Sequence, residues 1–224
     1  MASSFRLRVK LRRTAIALAE AVSRPLGPGG VRLLGGPGAV ASGFSRTSKP
    51  GTALDAGSQM FPRHPERLET FNYQGLHRYH LRFCTHQRRR IFAVPEAVEI
   101  VLWEIRRAAR TEQFAILAYC FMPDHVHLIV QGISEAADLK RFATRAKQFS
   151  GYAHAKTGGT RLWQPHLYEH VLRDDETTAA AVRYVLTNPV RAALVRRPQD
   201  YPFLGSDVFG MTELLEIFSN RWSG

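Results

Sequence analysis

Two histidines two residues apart, His125 and His127, are the residues of this chain best suited to chemistry. They follow Met122-Pro123-Asp124 and lead into Leu128-Ile129-Val130. In a β-strand, alternate side chains point to opposite faces. Both imidazoles then project from one side, while Val126, Leu128 and Val130 enter a core on the other. Neutral imidazole is the commonest side-chain metal ligand, and two ligands fall short of the four that close a structural zinc site. The pair predicts an open divalent-metal site with room for a substrate oxygen. His-x-His also arises by chance on half-exposed strands, so the remaining parts must come from elsewhere.

A candidate nucleophile lies in residues 134–156. Leu139, Phe142, Ala146, Phe149 and Ala153 recur at helical spacing. Arg141, Arg145, Gln148, Tyr152 and Lys156 share the adjacent face of that helix. Tyrosine forms covalent intermediates, and aligned cations hold phosphate oxygens. Tyr152 is thus a candidate for attack on a phosphodiester, although the same pattern suits a solvated basic face beside a core. Gly151 weakens the helix here and marks either its end or a hinge. Aromatic and basic residues mix again in the turn Arg88-Arg89-Arg90, around Arg161-Leu162-Trp163, and at Tyr168 and Arg173. Single strands favour such surfaces, because bases stack on rings while cations track phosphates. Trp163 and Tyr168 suit a core equally well.

The elements that position these residues follow from periodicity. Tyr79 to Thr85 reads as a first strand. Pro95 opens a helix carrying Val98, Val101, Leu102, Ile105 and Ala109. Phe114 to Phe121 is an apolar and therefore central strand, followed by the histidine strand. Ser134 is placed as the cap of the next helix, Leu162–Leu172 as the fourth strand, and Asp174-Asp175-Glu176 as the start of a helix ending before Asn188-Pro189. The order predicts an α+β, ferredoxin-like (RRM-like) antiparallel sheet with helices packed on one face.

Across its 224 residues the chain carries a formal charge of +12, with a pI near 10.4, which points to a polyanionic partner. The excess is uneven. Residues 1–59 hold 9 Lys/Arg against Glu20 and Asp55. That stretch, rich in Gly, Pro and Ser, is expected to be a disordered basic extension, a transit-like leader or a misassigned start. The domain is expected over 60–210, with a short terminal helix in 211–224. Cys84 and Cys120 match no zinc spacing and read as buried hydrophobes. No apolar run approaches the ~20 residues of a membrane span.

Several further stretches complete a pattern. They are Tyr79, Leu81 and Phe83; Ala118 to Leu128; Lys147-Gln148 with Ser150-Gly151-Tyr152; Leu162-Trp163-Gln164; and Val171 to Glu176. Arg183-Tyr184, Asn188-Pro189-Val190-Arg191-Ala192 and Asp200-Tyr201-Pro202-Phe203 follow. In this order the chain resembles the single-tyrosine HUH transposases, specifically the REP-associated tyrosine transposases and their insertion-sequence relatives, from about Met60 to Phe209.

The resemblance implies cleavage and strand transfer of single-stranded or hairpin DNA through a 5′-phosphotyrosine intermediate. Tyr152 would be the nucleophile, and His125 and His127 would hold Mg²⁺ or Mn²⁺, of which imidazoles suit Mn²⁺ better. Arg88, Arg89, Arg90, Arg141, Arg145, Lys147, Lys156, Trp163 and Arg173 would contact DNA. It further implies a monomer or homodimer without a membrane, in the bacterial cytoplasm beside the nucleoid. The family commonly carries Asn or Gln one helical turn past the tyrosine. Lys156 stands there instead and offers no acceptor, so His154, Asp124 or a water would have to substitute. A domesticated DNA-binding protein without cleavage, or an unrelated metal hydrolase, are the rival expectations.

Overall fold

A computed structural model of the chain describes residues 71–219. The proposed basic extension over 1–59 lies outside the described residues. Strand β1 (Arg78–Cys84) leads through two 3₁₀ turns to α1 (Pro95–Thr111), β2 (Phe114–Met122) and β3 (His125–Gly132). Then come α2 (Leu139–Lys156), β4 (Tyr168–Leu172), α3 (Asp175–Arg191), β5 (Leu204–Gly205) and α4 (Met211–Ser219). The sheet is antiparallel in the order β4-β1-β3-β2-β5. Its first four strands have the ferredoxin-like order, and β5 adds a short edge.

Alternation along the strands builds two cores. Tyr79, Leu81, Phe83, Val126, Leu128 and Val130 pack under α1 and α2, joined by Val98, Ile105, Leu139, Phe142 and Ala146. The opposite side, with Cys120, Met122 and Ile129, receives Ala181, Val182, Val185 and Leu186 of α3. The expected arrangement, with helices on one face, therefore holds for α1 and α2. α3 covers the other face, where the apolar side chains of β2 would otherwise meet water.

Local boundaries shift for identifiable reasons. Asp138, rather than Ser134, caps α2, its carboxylate accepting from Arg141 N at 3.1 Å. The helix runs through Gly151 without a break. The expected fourth strand contracts to β4, leaving Trp163 in a single bridge to Thr85. α3 begins after Asp174, which accepts from Thr177 N at 2.6 Å, and continues past Asn188-Pro189 to Arg191. Proline is tolerated there because only its own N–H is lost and the helix ends within a turn. That continuation places Asn188 one turn beyond Tyr184. Among the described residues no helix is long and apolar enough to cross a membrane.

Candidate active site

β3 places His125 and His127 on the face covered by α3, opposite the Val126-Leu128-Val130 core. Their Nε2 atoms stand 3.1 Å apart. Each ring is aimed by its other nitrogen. His125 Nδ1 meets Asp124 Oδ1 at 2.6 Å, and His127 Nδ1 meets His80 Nε2 at 2.9 Å. Partners of this kind fix the tautomer and orientation of metal-ligating histidines. If each Nδ1 carries the proton, both Nε2 lone pairs face one point, an arrangement that repels itself unless a cation lies between them. The donor set therefore fits a divalent ion.

Electrostatics favour the neutral rings that ligation requires. Burial pushes the His125 imidazole below its usual range, against the opposing pull of Asp124. Burial holds His127 well below that range, and the neighbouring His125, His80 and Arg82 add to it. His80, fully buried, is lowered to about 3, again chiefly by burial. The hydrogen bond from His125 holds the Asp124 carboxyl below the usual range. Arg88 Nε grips the other Asp124 oxygen at 2.9 Å.

Tyr152 is not brought to this site. Its helix packs on the far side of the sheet, and its ring is 65% exposed under the Lys156 ammonium at 4.7 Å. Tyr184 occupies the place expected of it. From α3 its ring packs edge-on to His127, with centroids 5.8 Å apart, and against His80 at 5.9 Å. The Arg191 guanidinium lies 4.4 Å above that ring. Asn188, four residues on and therefore on the same helical face, is buried, and its Nδ2 has no hydrogen-bond partner. Among the described residues no three His, Cys, Asp or Glu gather as a metal group. Asn188, of another residue type, lies on the Tyr184 face of α3 and carries an acceptor oxygen in its carboxamide.

The basic residues divide into those the fold consumes and those it leaves at the surface. Arg141 and Arg145 both bind Glu112 at the end of α1, at 3.2 and 2.7 Å. Their shared face is thus explained by a buried carboxylate. Lys147 Nζ donates to the carbonyls of Gln164 and Pro165 at 2.6 and 2.9 Å. Arg88 is tied to Asp124 and to Cys84 Sγ, and Arg89 to the Arg161 carbonyl. Trp163 is buried against Phe83 and Phe92, and its Nε1 donates to Ser150 Oγ at 2.9 Å. It is core and cannot stack on a base. Arg90, Lys156 and Arg173 remain exposed.

The neighbours of the histidine pair that the sequence did not single out are His80 and Tyr184, with Asn188 on the same face of α3 as Tyr184. A usable signal existed in the four-residue spacing of Tyr184 and Asn188. It was hidden because proline at 189 read as a helix terminator, which separated the two.

The model of the family described as "Transposase IS200 like" matches residues 73–185, a stretch that ends just past Tyr184. A REP-associated tyrosine transposase of Escherichia coli K12 is 29% identical over 99 residues, covering 44% of this chain and 58% of that protein. A Haemophilus influenzae relative named for the same activity is 31% identical over 124 residues, covering 50% of this chain and 68% of its own. The solved structure of a REP-associated tyrosine transposase bound to a REP hairpin superposes with a TM-score of 0.54. It does so at 20% identity, over 66% of this chain and 96% of the other, and so speaks for the fold.

Proposed function

The chain belongs to the IS200-like transposase family, one that generally depends on a metal, and from that premise we propose that it cleaves and rejoins single-stranded DNA with Tyr184 as nucleophile. The observation that carries this reading is the packing of the Tyr184 ring against His127 at 5.8 Å, on the histidine face of the sheet. His125, His127 and Asn188 would hold Mg²⁺ or Mn²⁺. The ion would polarise a phosphoryl oxygen and stabilise the departing 3′-oxygen.

The chain's own groups do the rest. Tyr184 Oη loses its proton and forms a bond to phosphorus; the bond from phosphorus to the 3′-oxygen breaks, and that oxygen takes up a proton. The products are a 5′-phosphotyrosine and a free 3′-hydroxyl. A second 3′-hydroxyl reverses the step and joins strands, so no nucleotide is consumed. Asp124 and His80 hold the two imidazole rings in place throughout. DNA hairpins are the proposed substrate, as the likeness to the hairpin-bound structure supports.

The test is a denaturing gel after incubating purified protein with Mn²⁺ and labelled single-stranded hairpins from the DNA beside its own gene. A covalent adduct should form and vanish in Tyr184→Phe. Tryptic mapping should place it on the peptide from Tyr184 to Arg191. An adduct on the Gln148–Lys156 peptide would restore Tyr152 as nucleophile. Tight binding with no adduct would instead make the protein a hairpin-binding module.

A further inference from the structure

We infer that Arg82 is the anion-holding residue of this site, gripping a non-bridging oxygen of the scissile phosphodiester; this rests on the transposase reading above. Arg82 lies on β1 directly opposite His127 in the β1–β3 register and opposite Tyr168 in the β1–β4 register. Alternation along β1 puts Tyr79, Leu81 and Phe83 into the α1–α2 core, so Arg82 shares the histidine face. Its guanidinium carbon sits 5.1 Å above the Tyr168 ring, a cation–π shelf that limits where the charge can go.

Arg82 is half-buried on this face without a counter-charge. Among the described residues no carboxylate pairs with it, and its Nε is buried without a hydrogen-bond partner. Arg88, by contrast, is paired with Asp124, and Arg145 with Glu112. A half-buried cation with an orphan donor is costly to keep without an anion beside it. It becomes favourable once an anion with several acceptor oxygens arrives, and the planar guanidinium fork matches phosphate oxygens. Among candidate ligands a phosphodiester fits best, because the metal-ligand pair and the nucleophile converge beside it. Burial, only partly offset by Arg82, raises the neighbouring Tyr168 phenol to about 12. That keeps Tyr168 protonated, as a shelf rather than a rival nucleophile.

The experiment compares wild type, Arg82→Gln and Arg82→Lys on hairpins whose scissile linkage is either a phosphodiester or a neutral methylphosphonate. With the phosphodiester, Arg82→Gln should slow single-turnover adduct formation by about 100- to 1,000-fold, the usual cost of one lost oxyanion partner, and Arg82→Lys by less. With the methylphosphonate, which has no charge to hold, Arg82→Gln and wild type should react at the same rate. Equal slowing on both substrates would mean that Arg82 supports the fold and would overturn the inference, as would no slowing at all. A parallel equilibrium measurement separates this from failure of the transposase reading. If wild type forms no adduct, weaker binding of Arg82→Gln to the phosphodiester hairpin alone would still sustain the anion site. Identical binding of both hairpins by both proteins would sink it.

Discussion

Replacing Arg145 by glutamine decides whether the basic face of α2 belongs to the fold or to a DNA surface. Arg145 Nε stands 2.7 Å from a Glu112 oxygen, and the Glu112 side chain is only 3% exposed against 38% for Arg145. A unit-charge pair at that distance is worth about 6 kcal/mol at an effective dielectric of ~20 and about 1.5 kcal/mol in water. The exposure of Arg145 pulls the net value toward the lower figure, while burial of Glu112 pulls it upward. Arg141 stays in place at 3.2 Å, so the carboxylate keeps one partner. The expected loss is about 2 kcal/mol, between the value of an exposed ion pair and the cost of breaking a buried one. For a chain of this size that lowers the melting midpoint by about 4–8 °C. Thermal unfolding followed by circular dichroism reads the stability. Fluorescence anisotropy of a labelled hairpin, titrated with salt, reads the DNA contact. The fold assignment requires a lower midpoint and an unchanged salt slope. The opposite pattern, an unchanged midpoint with a slope reduced by about 0.7–0.9, is the signature of one lost phosphate contact. That result would return Arg145 to the DNA surface.

Further outcomes follow from the same geometry. Asn188→Ala should weaken Mn²⁺ binding about 10-fold or more in isothermal calorimetry while leaving the fold intact; undiminished affinity would remove Asn188 from the ligand set. Trp163→Ala should cost about 3–5 kcal/mol in urea denaturation, as expected for a buried indole; a stable variant with impaired DNA binding would reinstate Trp163 as a stacking residue. The metal-free protein should lose stability as pH falls from about 6.5 toward 3. His80 is lowered to about 3 when folded, and burial depresses His125 and His127 as well. Across that window the unfolded chain binds protons that the folded chain refuses, so acid favours unfolding. A flat stability profile between pH 6.5 and 4 would show that these rings are not held neutral.

The histidine pair, its strand and the ferredoxin-like order were legible because they rest on local rules. Period two along 125–130 puts both imidazoles on one side whatever the rest of the chain does. The apolar stripe Val98, Val101, Leu102, Ile105 and Ala109 likewise specifies one buried face of α1, and all five residues are buried. Composition announced a polyanionic partner, but it could not say which cations were free. Arg141 and Arg145 looked available until Glu112, about thirty residues earlier, was seen to lie beneath them.

The proposed nucleophile depended on information no local pattern holds. Tyr152 and Tyr184 both sit on amphipathic helices among basic residues, and periodicity shows which side of each helix is buried. It does not show which side of the sheet that helix covers. Tertiary packing put α2 against Val126 and Leu128 and put α3 against the opposite surface, so only Tyr184 meets His127. The same packing carried α3 through Pro189 and made Asn188 the residue one turn past the tyrosine. Sequence alone determined the histidine-bearing strand, whose side chains alternate by covalent geometry. The partner helix was decided by the tertiary structure, because burial of the second sheet face selects it across more than fifty residues of chain.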